Sequence, residues 1–304
     1  MNTESTKYNR KWFKERAVSS IKNIDKGVWD FSDSLLFYTS NESTDNYKAS
    51  QIENTNYSQL VTKPERKYLS SIAPIISSKL PKKFDYIDLG PGTEHKEQIF
   101  FDQFKNDEKS FVYIPVDINQ YYLNLAIDHA AEQEIPLMPI HSSFEELPKI
   151  LKKTKKPRFI SLGLTFSNYE AKEIIKLLED ISGSSGYIFI NVQIKGRVDI
   201  EKLEKDYLTD AEYMCNNKIK LLDLDPKKDV SPKTIDDGIK IYCSIIKTNK
   251  ILDKIGIKIG DKIILARSLR YTKEALEKEL QKTNMEYFMF DTGESFIASL
   301  LIKK

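Results

Sequence analysis

Cysteine is almost missing from this chain. Cys215 and Cys243 are the only two among 304 residues, too few for a secreted disulfide framework and without the paired spacing of a zinc site. Both read as small core residues. Histidine is scarce too: His95, His129 and His141 are scattered along the sequence and suggest no zinc cluster, so no metal is expected. No stretch approaches the roughly 18 apolar residues needed to span a bilayer. The opening MNTESTKYNRKWFKER is polar and has no apolar signal region. An excess of one charge is absent as well, since 47 Lys and Arg face 45 Asp and Glu for a net +2. That balance argues against a broad basic surface for nucleic acid. These absences predict a reduced, cytoplasmic chain with no membrane or nucleic-acid partner.

What is present is an ordinary globular composition, 40% hydrophobic and 30% charged, long enough for one large domain with a substantial insertion. Residues 1–80 read as mostly helical, with an irregular Asn-, Ser- and Thr-rich loop from Asn41 to Gln59 and a helix opening at Pro64. From residue 84 short apolar runs alternate with helical patterns: FDYIDLG (84–90), FVYIPVD (111–117), PLMPIH (136–141), RFISLGL (158–164) and GYIFINVQI (186–194). Parallel neighbours need crossovers, and the intervening helices supply them. The rhythm breaks at residues 195–260. It resumes with KIILARSLRY (262–271), a helix at 272–282, and two runs, MEYFMFD and SFIASLLIKK, joined through Thr292-Gly293-Glu294. Alternating β/α units closed by an antiparallel hairpin predict an α/β fold: the Rossmann-like sheet of class I methyltransferases, with an inserted substrate lobe. The expected organisation is a helical segment at 1–80 that contributes to that lobe, a cofactor domain from 81–194 and 271–304, and the lobe itself at 195–270.

The chemistry is expected at the carboxyl ends of these strands. Asp88-Leu89-Gly90-Pro91-Gly92-Thr93 ends the first strand in a Gly-x-Gly turn, which lets the chain bend sharply and a ligand lie against the main chain. A dinucleotide fingerprint would need a third glycine at position 95, where this sequence has His95. Asp117 ends the second strand, beside that loop, where a carboxylate can accept both ribose hydroxyls; it can equally cap the helix that follows. After the third strand, Phe144 can cover an adenine and Ser143 can offer it a polar contact, although Ser143 with Glu146 also makes a capping box. The fourth strand runs out through Gly163 to Asn168. Asn168 can orient an amine or carboxylate of an acceptor, or cap the next helix.

These strings carry a resemblance. DLGPGTEHK, then YIPVDIN, then SLGLTFSN resemble the histidine-specific α-N-methyltransferase family of ergothioneine biosynthesis, whose motifs read approximately LGSGTSxK, VPVDVS and FLGSTIGN. The resemblance covers roughly residues 60–304. It implies that S-adenosylmethionine is the cofactor, bound by Gly90, Gly92, Thr93 and Asp117. It aligns Lys96 with the motif lysine and places Asn168 at the α-amino or carboxylate end of an amino-acid acceptor. The substrate positions depart from the family. Its YYxTxxE motif stands here as Gln59-Leu60-Val61-Thr62-Lys63-Pro64-Glu65, so only Thr62 and Glu65 are kept, and the nearest tyrosine is Tyr57. Tyr207 corresponds to the tyrosine of the family's insertion. A late Glu-x-Ser that grips the imidazole stands as Ala266-Arg267-Ser268. A buried imidazole N–H left without an acceptor costs about 1–3 kcal/mol, so the expected acceptor is an amino acid or small amine other than histidine.

Methyl transfer from a sulfonium is an in-line displacement on an activated donor, so the protein chiefly supplies proximity and orientation. Asn168, Tyr207 and Ser268 are the candidates for positioning the acceptor. Two other readings compete: a methyltransferase for a protein, peptide or nucleic acid, for which the basic run Lys152, Lys153, Lys155 and Lys156 offers a contact surface, and a binding or regulatory protein without turnover. Other Rossmann enzymes, including a nicotinamide enzyme, stand behind these. A monomer is expected.

Overall fold

Strands buried on both faces read as nearly continuous apolar runs rather than alternating ones, and such runs form the central sheet. The computed structural model describes residues 8–37, 58–151, 156–197, 215–235, 240–293 and 297–304. It contains two compact units, one of Gln59–Val198 with Arg270–Lys304 and one of Met1–Ser58 with Asp199–Leu269. Within the first unit the strands are β1 (Lys83–Leu89), β2 (Ser110–Asp117), β3 (Ile140–His141), β4 (Arg158–Leu162), β5 (Gly186–Gln193), β6 (Glu286–Phe290) and β7 (Ile297–Lys303). Its helices are α1 (Lys63–Lys79), α2 (Glu97–Asn106), α3 (Gln120–Glu132), α4 (Leu147–Ile150), α5 (Ala171–Ser182) and α6 (Lys273–Leu280). The strands lie in the order β3-β2-β1-β4-β5-β7-β6. The first five run parallel; β7 is antiparallel to β5 and to β6. This is the α/β class I methyltransferase sheet expected from the βα rhythm and the terminal hairpin.

Successive strand residues face opposite sides of the sheet, and the two sides are filled differently. One face presents Phe84, Tyr86, Tyr113 and Phe159 to Phe100, Phe101 and Phe104 of α2, with Phe101 edge-on to Tyr113 at 4.9 Å. The other presents Ile87, Leu89, Ile114, Val116, Ile160 and Leu162 to Ile174, Ile175, Leu178 and Ile181 of α5. Spacing of 3, 4 and 7 along α5 puts these four side chains on one face. The third strand is shorter than the sequence suggests: pairing is confined to Ile140–His141 and one bridge at Leu137. Pro136 and Pro139 lack the N–H a central ladder requires. Gly293 takes φ +77° and donates its N–H to Asp291 Oδ1 at 2.8 Å; Glu294 lies outside the described residues.

The second unit carries its own five-stranded sheet, ordered Lys22–Asp25, Val28–Asp30, Lys262–Arg267, Lys240–Ser244, Thr234–Ile235. Here the structure corrects the reading of 1–80 as mostly helical. Helices occupy Arg10–Ser20 and Lys63–Lys79, but residues 22–30 fold back as a hairpin through Lys26 and Gly27, the latter at φ +69°. Lys22–Asp25 is exposed at all four positions and so has no alternation to announce a strand. Val28–Asp30 pairs in parallel with Lys262–Ile264, a partner more than 230 residues away. Cys215 and Cys243 are buried and unbridged. Beside Cys215, in a helix at 215–221, Lys218 is fully buried. Burial pushes its ammonium down to about 8, while Nζ donates to the Leu265 carbonyl at 2.7 Å and lies 4.2 Å from the centre of the Phe37 ring. Tyr207 and the segments 38–57, 152–155 and 198–214 lie outside the described residues.

Candidate cofactor site

The parallel strands all end on one edge, and their loops carry the predicted ligand-binding side chains. β1 delivers Asp88 and then Gly90 and Gly92, both at φ +71°, a backbone region L side chains enter at a cost of about 1–2 kcal/mol. Three loops converge on Gly90: a Cβ placed there would lie 3.6 Å from Phe144 Cζ and 4.0 Å from Thr165 Oγ1. The loops of β1, β3 and β4 therefore meet at this turn, with Phe144 and Thr165 at van der Waals distance from where a side chain would begin. A Cβ at Gly163 would meet Glu65 Oε1 at 3.9 Å, which brings α1 to the same edge.

Two carboxylates stand at the strand ends. Asp117 is 8% exposed, and its burial pushes it up to about 7 against the opposing pull of the Asn119 and Ile118 backbone N–H groups. Its Oδ1 accepts from Asn119 N at 2.7 Å. The cap of α3 is Asn119, whose side chain accepts from Tyr121 N, so Asp117 is not needed as the helix cap. Asp88 is likewise raised to about 7, by burial first and then by Glu97, and Tyr113 donates to it at 2.9 Å.

The capping alternatives at the other two loops resolve differently. Ser143 stands at the N-cap of the turn Phe144–Glu146 and its carbonyl accepts from Glu146 N at 3.3 Å, but its side chain makes no cap bond; the Ser142 hydroxyl donates to the Glu146 carboxylate at 3.1 Å. Glu170 occupies the N-cap position of α5, and Asn168 ends the 3-10 turn Leu164–Asn168 that precedes it. Gly163 begins that turn.

Lys96 anchors a polar network that the sequence reading did not foresee. Its ammonium contacts Glu65 at 2.8 Å and Glu94 at 2.6 Å. Burial would push the ammonium down, but the two carboxylates outweigh burial and hold it well above the usual lysine range. Glu65, only 1% exposed, also accepts from Asn191 of β5 at 2.9 Å, and Ser299 of β7 donates to Asn191 at 2.7 Å. Helix α1, the glycine loop and two strands are thus tied through one buried carboxylate. The one sequence sign of this was Glu65 surviving from the family motif.

The polar groups available suit the cofactor the motifs imply. Thr93 Oγ1, Ser167 Oγ and Gln193 Oε1 are buried without a hydrogen-bond partner among the described residues. They sit in the loops after β1 and β4 and at the end of β5. Buried polar atoms left unpaired cost about 1–3 kcal/mol each, and a polar ligand at this edge would satisfy them. Gly90, Gly92, Thr93, Lys96, Asp88, Asp117, Ser143, Phe144, Gly163 and Asn168 all belong to this unit and this edge. Ser268, 9% exposed, follows the Lys262–Arg267 strand of the other unit.

The functional comparisons agree with this reading. A family model described as "Histidine-specific methyltransferase, SAM-dependent" matches residues 50–217. No curated protein matches. Among solved structures, the chain is similar to an O-methyltransferase family protein from Burkholderia thailandensis, at 9% identity and TM-score 0.50, covering 90% of this chain and 62% of that one. It is similar to the PH0226 protein from Pyrococcus horikoshii OT3, at 12% identity and TM-score 0.48, covering 87% and 99%. It is also similar to CurJ carbon methyltransferase, at 11% identity and TM-score 0.46, covering 84% of this chain and 57% of that one. The chain thus spans less than two thirds of the first and third of these. At such identities the likeness is one of fold. No helix among the described residues is long and apolar enough to cross a membrane. The family match spans more than half the chain and includes the Gly-x-Gly turn, Asp117 and the loop after β4; the chain belongs to the histidine-specific, S-adenosylmethionine-dependent methyltransferase family.

Proposed function

We propose that this chain methylates the amine of an amino acid or related small molecule other than histidine. Ala266 carries this reading. It is 7% exposed, within the strand Lys262–Arg267, at the position where the resembling family has the glutamate that holds the imidazole. A methyl side chain accepts no hydrogen bond, and the neighbouring Arg267 is committed to Asp30 at 2.8 Å. The paired tyrosines of the family are also replaced, by Gln59 and Leu60.

When bound, S-adenosylmethionine supplies a methyl group on a positively charged sulfur. The residues of this chain then have three tasks. Gly90, Gly92 and Thr93 offer main chain and a hydroxyl to the polar end of the cofactor, with Lys96 holding their loop against Glu65. Asp117 accepts from the ribose hydroxyls, Phe144 covers the adenine and Ser143 meets its polar edge; Asp88 and Gly163 shape the floor at the ends of β1 and β4. Asn168 orients the acceptor so that its nitrogen lone pair points along the transfer axis. Ser268 and Tyr207 are assigned to the acceptor on the family resemblance. An ammonium acceptor sheds its proton to water before binding, so no strong general base is needed.

Methyl release over a panel of amino acids, small amines and peptides tests the acceptor class, with turnover expected on a free amino acid or amine. A thermal shift with S-adenosylhomocysteine and none with NAD tests the cofactor separately. Tight and specific calorimetric binding of histidine would overturn the acceptor assignment.

A further inference from the structure

The fold brings together two histidines that lie 34 positions apart in the sequence. His95 sits in the loop after β1 with left-handed backbone, φ +46°, and His129 lies in the last turn of α3. Their rings stack with centroids 4.1 Å apart and planes at 34°. Glu97, the first residue of α2 and only 3% exposed, points its carboxylate at both: Oε1 lies 3.3 Å from His95 Nδ1 and 3.8 Å from His129 Nε2. One donor atom from each of the three residues falls within 4.8 Å of the others.

Hydrogen bonding among the three leaves the cluster incomplete. His95 can pair with Glu97, but His129 Nε2 is buried with no hydrogen-bond partner among the described residues. The surrounding charge is negative. Glu132 acts on both imidazoles and Asp102 on His129, with Arg66 the opposing cation felt at His95. One cation shared by all three groups would satisfy the orphan nitrogen and the buried carboxylate together.

We propose that His95, Glu97 and His129 form a binding site for a divalent transition-metal ion of the zinc type. Two imidazoles and one carboxylate, with no thiolate, form a donor set suited to such ions rather than to calcium or magnesium. Tetrahedral zinc with bonds of about 2.0–2.1 Å places its ligand atoms about 3.3 Å apart, against 3.3 and 3.8 Å for the two Glu97 edges here. The edge between the two imidazole donor atoms lies within 4.8 Å, so closing the tetrahedron would require the rings to turn toward the shared ion. The His95 side chain is 42% exposed, so water can reach the fourth position. The ion would staple the Gly92–Lys96 loop to α3 and so stiffen the segment carrying Thr93 and Lys96. This site is independent of the methyl acceptor and of turnover.

Calorimetric titration of the full chain, freed of metal by a chelator, with zinc chloride tests the site, and cobalt(II) provides a visible-absorption readout of tetrahedral coordination. One equivalent is expected to bind, with an intense tetrahedral cobalt spectrum. His129→Ala and His95→Ala should each weaken binding on the order of 100-fold or more, since even partners that only orient a ligand are worth 10–100-fold. Glu97→Gln keeps the side-chain shape and removes the charge; with its metal-free melting curve unchanged, it should lose the zinc heat and the cobalt spectrum. Absence of zinc binding to the wild-type chain, or binding that survives the combined His95→Ala and His129→Ala change, overturns the proposal.

Discussion

Asp117→Asn tests the ribose assignment most directly, because the same carboxylate predicts both an affinity loss and a pH profile. The group is buried at the end of β2 and raised to about 7 in the ligand-free protein. Ribose hydroxyls donate to the ionised form and would lower that value on binding. The sign follows: ligand binding favours the ionised carboxylate, so affinity falls as pH drops through about 7. Each pH unit below that point costs up to about 1.4 kcal/mol, or tenfold, until the pKa of the bound form is reached. The folded-state value also lies above the ordinary carboxylate range. The contribution of Asp117 to stability is therefore fully present below about pH 4 and lost as pH rises through about 7. S-adenosylhomocysteine should accordingly raise the melting temperature more at pH 8 than at pH 6. Hydrogen bonds to a charged group are worth about 1.5–3 kcal/mol; the amide of Asn retains one acceptor, so Asp117→Asn should weaken binding by about 2 kcal/mol, roughly 30-fold. It should also flatten the pH profile near 7. Calorimetry between about pH 5.5 and 8.5 reads both effects across the titration. Unchanged affinity in the variant would refute the assignment, and a retained slope would hand the titration to Asp88, which is raised to about 7 as well.

Lys96→Met should destabilise the fold by about 3–5 kcal/mol in urea unfolding, because it removes the cation paired with the buried Glu65 carboxylate; adding Glu65→Gln should recover part of that loss. Gly90→Ala should retain the fold at a cost of about 1–2 kcal/mol for its left-handed backbone while reducing the S-adenosylhomocysteine thermal shift, since the new methyl would stand on the main chain against which the ligand is assigned, facing Phe144 at 3.6 Å. Unaltered ligand binding in that variant would show that the ligand does not use the turn.

Much of the cofactor unit was legible locally. Strands β1, β2, β4 and β5 follow from apolar runs whose length and flanking turns a single segment contains, and Gly90 and Asp117 follow from their places at strand ends. The competing roles at those ends were not separable that way. Asp117 and Asn119 are both competent helix caps, and only the backbone path shows Asn119 in that position. Ser142 and Ser143 are adjacent, yet the Ser142 hydroxyl donates to the Glu146 carboxylate while Ser143 takes the N-cap position without a side-chain cap bond.

The sequence by itself determined the βα order, the Gly-x-Gly turn, the terminal hairpin and the loss of the family's imidazole-holding acid, because each is written within one or two neighbouring segments. Tertiary structure decided the rest, where the energy lies between distant segments. Lys96 meets Glu65 across 31 positions, and Asn191 meets the same carboxylate across 126. A hairpin at 22–30 exists beside a strand at 262–267. Two histidines that look scattered become neighbours once α3 packs beside the loop after β1. A carboxylate or imidazole carries no sign in the sequence of which remote partner will offset its burial; packing of the sheet and its helices supplies that partner.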